Sequence, residues 1–477
     1  MKHYDRVFID GQWIPATGAD HFDITEAATG TVIARISAAS RADLEAAVDS
    51  ANRAFPVWSQ LPPAERATAL RRIAQGLKAR SDEIARSVAM EVGMPLKLSN
   101  RIQVGSPILA WEAYADLAMD LPREERIGHS LVVHEPVGVV GCITPWNYPL
   151  HQVTAKVAAA LAAGCTVVLK PSEVAPISAF ILAEVVAEAG VPAGTFNLVC
   201  GEGATIGEAL AASPRVDMIS FTGSTNAGKR VAAVAADTVK RVSLELGGKS
   251  PSVVLDDADL TQAVRGTIAS CFLNSGQTCS ALTRLLVPED KYEQARAIAA
   301  EACAGFTLGN PLDPATRVGP LVSARQQERV VGMIRKGLDT GADLIAGGSD
   351  PVDNMQGGFF VRPTVLGRVA SDSPVAQEEI FGPVLVIQTY RDEEEAVRLA
   401  NGTQYGLAAA VWSGDEARAR QVAGRIRAGQ IDINGAPFNP AAPFGGFKQS
   451  GHGRENGSFG LAEFLEPKSI QLRSERS

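Results

Sequence analysis

The 477-residue sequence is short of the features that mark specialised classes of protein. Its longest apolar stretch, Val157 to Leu169, is interrupted by Gly164 and Thr166 and falls short of the roughly 20 residues a membrane helix needs. There is no basic block, and a formal net charge of -8 with 21% charged residues argues against nucleic acid or an anionic membrane as partner. The six cysteines show no C-x-x-C spacing, which excludes a zinc ribbon and a disulfide framework. Cys142 and Cys200 lie among apolar neighbours and read as small buried hydrophobes. The six histidines include no pair at ligand spacing, so no metal is expected. No apolar segment follows Met1-Lys2-His3, so no signal peptide is expected and the expected location is cytoplasmic. Internal repeats and low-complexity tracts are absent as well.

What is present is 46% hydrophobic residues, enough for large cores in two or three domains. Residues 42–92 are helical in pattern, with Leu70, Ile73 and Leu77, then Ile84 and Val88, on one face. From Val137 short apolar runs alternate with helical patterns. The spacing predicts strands at Val137–Ile143, Thr166–Leu169, Phe196–Val199, Met218–Phe221 and Arg241–Leu244, with helices near 151–163, 178–189, 203–212 and 226–236. Such alternation implies crossover connections and a doubly wound, mostly parallel sheet, whose ligands bind beyond the carboxyl ends of the strands. A second alternation follows Gly247-Gly248: a helix near 259–273, a strand at Arg284–Val287, helices at 289–303 and 323–340, and further pairs to about Ile433. The glycine pair reads as a hinge or linker between two α/β domains. The segments 124–136 and Leu465–Leu472 fit neither alternation and read as strands that leave the body of the subunit.

Cys279 stands in Asn274-Ser275-Gly276-Gln277-Thr278-Cys279-Ser280, where small residues after an amphipathic helix would let a carbonyl carbon approach the sulfur. A thiolate is needed for attack. Residues alone leave two readings, a nucleophile or one more buried thiol. Glu245, at a strand end in Glu245-Leu246-Gly247-Gly248-Lys249, is either a general base with its pKa raised by burial or an ordinary paired glutamate. Asn147, between Pro145 and Pro149, could donate to an oxyanion or simply shape a turn. Phe221-Thr222-Gly223-Ser224 is a strand, a glycine turn and a helix start suited to a pyrophosphate, although neither it nor Gly201-Glu202-Gly203 matches G-x-G-x-x-G. Lys170 and Glu173 flank Pro171-Ser172, where they could hold ribose hydroxyls or form an exposed charged loop. Glu379 and Phe381 read as a surface turn over one buried aromatic.

Together these stretches, with Pro443-Phe444-Gly445-Gly446, occur in the order and spacing of the NAD(P)-dependent aldehyde dehydrogenase superfamily, which the chain resembles from about Phe8 to Ile470. The resemblance implies two doubly wound α/β domains, a Rossmann-like cofactor domain (1–120 and 141–246) and a catalytic domain (247–445). It further implies a small β oligomerisation element (121–140 and 460–477), a return segment (446–459) and a homodimer or homotetramer. It assigns catalysis to Cys279, Glu245 and Asn147, with hydrolysis rather than transfer to coenzyme A because Glu245 is present. Lys170 and Glu173 fall at the adenosine ribose, Ser224 and the Trp146 backbone at the pyrophosphate, and Glu379 and Phe381 at the nicotinamide. Thr144, Ser172, Gly203, Phe221, Gly223 and Leu246 complete the cofactor cleft. NAD is expected over NADP because the Glu173 carboxylate repels a 2′-phosphate. The substrate tunnel is expected among Tyr148, Gln152, Ala155, Leu273, Thr278, Ser280, Phe438 and Phe444. With no cation there, an uncharged aliphatic or aromatic aldehyde is expected. The alternatives are a semialdehyde dehydrogenase, a coenzyme A-acylating dehydrogenase or a catalytically silent protein of the same fold.

Overall fold

The computed structural model describes residues 1–121, 124–355 and 357–473. Parts of the two segments expected to build the oligomerisation element, 122–123 and 474–477, lie outside the described residues. The chain forms two large sheets and two small ones, with helices packed on both faces of each large sheet.

The first large sheet has a parallel centre, ordered Arg241–Glu245, Met218–Thr222, Val139–Ile143, Thr166–Lys170 and Phe196–Leu198. These strands are apolar runs because both faces are covered. Helices Pro63–Ala79, Ser106–Asp120, Pro149–Ala163 and Ile177–Glu188 bury one face, and Arg41–Gln60, Glu208–Ala212 and Thr225–Ala235 the other. Antiparallel strands close the edges, Gly451–His452 beside Leu244 and Glu245, and Arg6–Ile9 with Gln12–Pro15 at the far side. The register pairs Thr222 with Glu245, Phe221 with Ile143 and Ile143 with Lys170, so the carboxyl ends and their loops share one rim.

The second sheet has seven strands, ordered Asp343–Ala346, Thr364–Gly367, Val384–Tyr390, Leu282–Pro288, Ser250–Val254, Ala408–Trp412 and Gln430–Ile433. All pairs are parallel except the first. Glu124–Ile127, Ser130–Pro136 and Leu465–Gln471 form a separate antiparallel sheet with largely exposed side chains. The strands before residue 40 were not anticipated: Lys2–Tyr4, His21–Thr25 and Val32–Ser37 form a fourth, small sheet.

Gly247 and Gly248 link strand Arg241–Glu245 of the first sheet to strand Ser250–Val254 of the second, and they are glycine for a reason other than backbone freedom. Neither has a left-handed backbone. A Cβ on Gly247 would stand 2.2 Å from Glu379 Oε2, and the Gly248 N–H donates to Glu379 Oε1 at 3.0 Å, so close approach is what demands glycine. The next residue is fixed in turn by Arg284, buried at 2% exposure, whose guanidinium donates to the carbonyls of Lys249 (2.9 Å), Leu399 (2.7 Å) and Ala400 (2.8 Å). Arg284→Met strips three buried carbonyls of donors, each worth about 1–3 kcal/mol when left unmade. Its thermal midpoint, followed by far-UV circular dichroism, should fall by several degrees; an unchanged midpoint would show that the clamp adds nothing.

Candidate active site

The helix Leu260–Cys271 ends two residues earlier than its pattern suggests, because Asn274 (φ 51°), Ser275 (φ 57°) and Gly276 (φ 74°) take left-handed backbone in succession. Such a conformation costs on the order of 1–3 kcal/mol per non-glycine residue and persists only when its surroundings enforce it. Here they do. Ser275 Oγ donates to Gly319 O (2.8 Å), and the Gln277 amide bridges Asn274 O (3.2 Å) and the Val322 N–H (2.9 Å). A Cβ on Gly276 would lie 2.0 Å from Gly382 O. The turn delivers Cys279 to a half-buried position, whereas the other five cysteines are buried.

Asn147 is 4% exposed, and its Nδ2 donates to Gln277 O at 2.9 Å, two residues before the thiol. Asn274 Nδ2 donates to Asn147 O (3.0 Å) and also to Gln277 O (3.3 Å). The second Asn147 N–H thus keeps a fixed direction, and the Cys279 N–H meets no backbone acceptor among the described residues. Two such donors are what an oxyanion requires.

Glu245 is 3% exposed, and neither carboxylate oxygen has a protein partner among the described residues. Its pKa is pushed well above the ordinary carboxylate value, first by burial and then by Glu455, while Lys156 and Arg454 oppose the rise. Glu455 forms a buried ion pair with Lys156, their side chains 9% and 1% exposed. The Glu455 backbone is held by reciprocal hydrogen bonds with Phe444, at 2.9 and 2.7 Å. Sequence reasoning missed this pair. The available signal was Lys156 itself, an ammonium in the helix Pro149–Ala163, where nearly every neighbour is buried. Burial, then Glu245, Glu379 and Glu455, raise the Cys279 thiol well above its usual pKa, against a hydrogen bond from the Ser280 backbone.

The expected cofactor residues from Thr144 to Leu246 lie at or after strand ends of the first sheet, and Glu379 and Phe381 precede strand Val384–Tyr390 of the second. Lys170 Nζ pairs with Glu173 Oε2 at 2.8 Å, and the buried Thr144 Oγ1 has no partner among the described residues. Ser172 Oγ accepts from Val174 N (3.2 Å) and shapes that loop. Ser224 caps the exposed start of Thr225–Ala235, and the Gly223 N–H donates to Glu245 O at 3.0 Å. Gly203 is exposed with open space around it. Phe221 and Leu246 are buried, and Leu246 packs where a Cβ on Gly228 would fall. Burial lifts Glu379 to about 7, against the Gly248 N–H and Arg329. The surface-turn reading of Glu379 and Phe381 thus gives way to a carboxylate seated on the glycine pair, with a half-buried Phe381 ring edge-on to Trp146 at 5.3 Å.

Of the expected tunnel residues, Tyr148, Gln152, Ala155 and Phe444 are buried and Leu273, Thr278 and Ser280 are half-buried. Tyr148 Oη shares a 2.7 Å hydrogen bond with Thr278 Oγ1. Phe438 is 47% exposed, its ring centroid 6.0 Å from that of Phe444.

Residues 13–470 match the sequence model of the Aldehyde dehydrogenase family. The chain belongs to the aldehyde dehydrogenase family. It is 46% identical to a 3-succinoylsemialdehyde-pyridine dehydrogenase of a Pseudomonas species, over 98% of this chain and 99% of that protein. Aldehyde dehydrogenase C from Pseudomonas syringae, solved with NAD+ and octanal, superposes with a TM-score of 0.97 at 44% identity, covering 98% of this chain and 96% of that one. A Mycobacterium tuberculosis aldehyde dehydrogenase complexed with NAD+ does so with a TM-score of 0.97 at 39% identity, covering 100% and 99%. The enzyme is an NAD-dependent aldehyde dehydrogenase with the two α/β sheets of that fold.

The charges around Glu245 set the direction of two pH shifts in this dehydrogenase. Glu455→Gln removes the anion that raises the Glu245 pKa and leaves Lys156 to stabilise its carboxylate, so the rising limb of steady-state kcat should move to lower pH. Lys156→Met removes the cation and should move the limb to higher pH. It should also destabilise the fold by about 3–5 kcal/mol through an unpaired buried carboxylate. Superimposable pH profiles for wild type and both variants would refute the coupling.

Proposed function

We propose that Cys279 is the nucleophile, Asn147 and the Cys279 N–H the oxyanion donors, and Glu245 the base of a hydrolytic aldehyde dehydrogenase. The buried Glu245 carboxylate, free of protein partners, carries this reading. Sulfur adds to the aldehyde carbon as the thiol proton leaves to water, and the new oxyanion is held by the two N–H groups. Lys170, Ser172 and Glu173 would hold the adenosine ribose, Thr144, Trp146, Gly203, Phe221, Gly223 and Ser224 the phosphate stretch, and Leu246, Glu379 and Phe381 the nicotinamide end. NAD+ supplies the acceptor for the hydride that leaves the carbon. The thioester left on Cys279 is attacked by a water whose proton Glu245 takes; the carbon–sulfur bond breaks, a carboxylic acid departs, and Glu245 passes that proton to the departing sulfur, which restores the thiol and the carboxylate. A general base at this step is worth about 10²–10⁴ in rate.

The substrate is an uncharged aliphatic or aromatic aldehyde, a reading supported by a tunnel set without Lys or Arg and by the relative solved with octanal. A semialdehyde with a distal carboxylate is the second reading, and Arg101 favours it. Its guanidinium is exposed, has no ion pair among the described residues, and opposes the burial that raises the Tyr148 phenol. It stands on the helical segment Ser99–Gly105, whose Ile102 packs against the apolar cluster that contains Tyr148. The exposed sheet of Glu124–Ile127, Ser130–Pro136 and Leu465–Gln471 serves assembly into a homodimer or homotetramer. No helix among the described residues is long and apolar enough to cross a membrane, which agrees with a cytoplasmic place of work.

Cys279→Ala should abolish NADH formation while NAD+ binding persists. Glu245→Gln should keep a first-turnover NADH burst and lose roughly 10²-fold or more in steady state. Octanal and benzaldehyde should exceed succinic semialdehyde in kcat/KM and yield acid without coenzyme A. The reverse order, abolished by Arg101→Ala, would establish the semialdehyde reading instead.

A further inference from the structure

Two consecutive residues at the start of helix Pro149–Ala163 are tied to two consecutive residues of the thiol turn. Asn147 Nδ2 donates to Gln277 O at 2.9 Å, and Tyr148 Oη lies 2.7 Å from Thr278 Oγ1. The first tie orients a donor for the oxyanion. The second places a pair of hydroxyls one residue to the side of both oxyanion donors, since Tyr148 follows Asn147 and Thr278 precedes Cys279. Neither hydroxyl has a part in attack, hydride departure or hydrolysis.

The geometry fixes where their protons lie. Thr278 has a single hydroxyl proton, and its Oγ1 also stands 3.2 Å from Leu273 O, a carbonyl that can only accept. The threonine proton therefore goes to Leu273, and the 2.7 Å bond is donated by the Tyr148 phenol. Burial raises the phenol pKa, and the nearby Cys279 raises it further against Arg101, so the phenol keeps its proton at neutral pH. With that proton spent on Thr278, Tyr148 Oη presents only lone pairs. The ring that carries it is held in place: it belongs to one apolar cluster with Val88, Val92 and Met94, and it meets the His151 ring edge-on at 6.3 Å between centroids.

An acceptor fixed beside the reacting sulfur selects among substrates. A buried oxygen that a ligand leaves unmatched costs binding, whereas a matched one contributes to it. Discrimination built on such a bond exceeds what one methylene achieves in an apolar pocket. The complementary substrate therefore carries a donor. An ammonium would meet the like charge of Arg101, which acts on this same phenol, so the donor is uncharged. Consecutive Cα atoms lie about 3.8 Å apart, and a hydroxyl oxygen on the second or third carbon of an aldehyde stands about as far from the carbonyl carbon.

We infer that Tyr148 determines specificity and that the preferred substrates are short aldehydes with a hydroxyl on the second or third carbon, whose O–H donates to Tyr148 Oη while the carbonyl carbon meets the sulfur. This rests on the reading of Cys279 as nucleophile. Two pairs of substrates differ only by hydroxyl against methyl, glycolaldehyde with propanal and 3-hydroxypropanal with butanal, and their kcat/KM values are read as NADH formation by the full-length enzyme. Wild type should favour the hydroxyl in at least one pair, and Tyr148→Phe should lower that hydroxyl-to-methyl ratio roughly tenfold or more, whatever it does to either substrate alone. Thr278→Val sets the phenol proton free, so 3-methoxypropanal, an acceptor without a donor, should gain on butanal relative to wild type.

A wild-type preference for the methyl member of both pairs would overturn the inference without any variant. An equal ratio in Tyr148→Phe would do the same, as would a methoxypropanal ratio unmoved by Thr278→Val. Each of these leaves the dehydrogenase reading standing, whereas NADH from none of the aldehydes would overturn that reading itself.

Discussion

One carbonyl joins the two halves of the active site. Gln277 O accepts from Asn147, on a loop of the first sheet, and from Asn274, in the left-handed turn that presents Cys279. Asn274 also reaches back to the Asn147 carbonyl, so donor, turn and thiol form one hydrogen-bonded unit across the boundary between the sheets. Left-handed backbone at Asn274 and Ser275 would relax if that unit came apart, and the thiol would move with it. Geometry at the sulfur is therefore a property of the joint between the sheets, with neither sheet sufficient for it alone.

A second constraint is the distribution of charge below the thiol. Glu245, Glu379 and Glu455 all push the Cys279 proton affinity upward, against two buried ammonium groups, Lys156 paired with Glu455 and Lys249 acting on Glu379. The resting site is thus proton-rich, with its sulfur and its base both disposed to be neutral. A positive charge brought beside this group would lower the proton affinity of the Cys279 thiol and of the Glu245 carboxyl together.

Much of this was legible in the sequence because it rests on local pattern. Parallel strands buried on both faces read as apolar runs, and their alternation with helices specifies the parallel cores. The motifs around Cys279, Glu245 and Asn147 were equally visible, since glycine and small polar residues mark close approach. Three things were not. The strands before residue 40 are short edge and satellite pieces whose pairing depends on distant partners, Phe8 against Leu198 among them. The glycine pair read as a hinge or linker because composition cannot separate backbone freedom from lack of space; the Glu379 carboxylate beside Gly247 and the Cys279 carbonyl beside Gly248 show the lack of space. The Lys156–Glu455 pair joins a helix in the first third of the chain to a turn near its end, a relation that no window of sequence contains.

That last separation bears on how the enzyme is made. During synthesis the helix Pro149–Ala163 emerges with its ammonium well before position 455, 299 residues later in the chain. Until then Lys156 lacks its counter-ion, and the strand Gly451–His452 that lies beside Glu245 is also missing. A growing chain can assemble most of the cofactor sheet yet cannot bury that helix without penalty. The surroundings of Lys156 and those of Glu245 therefore wait for the same late segment of the chain.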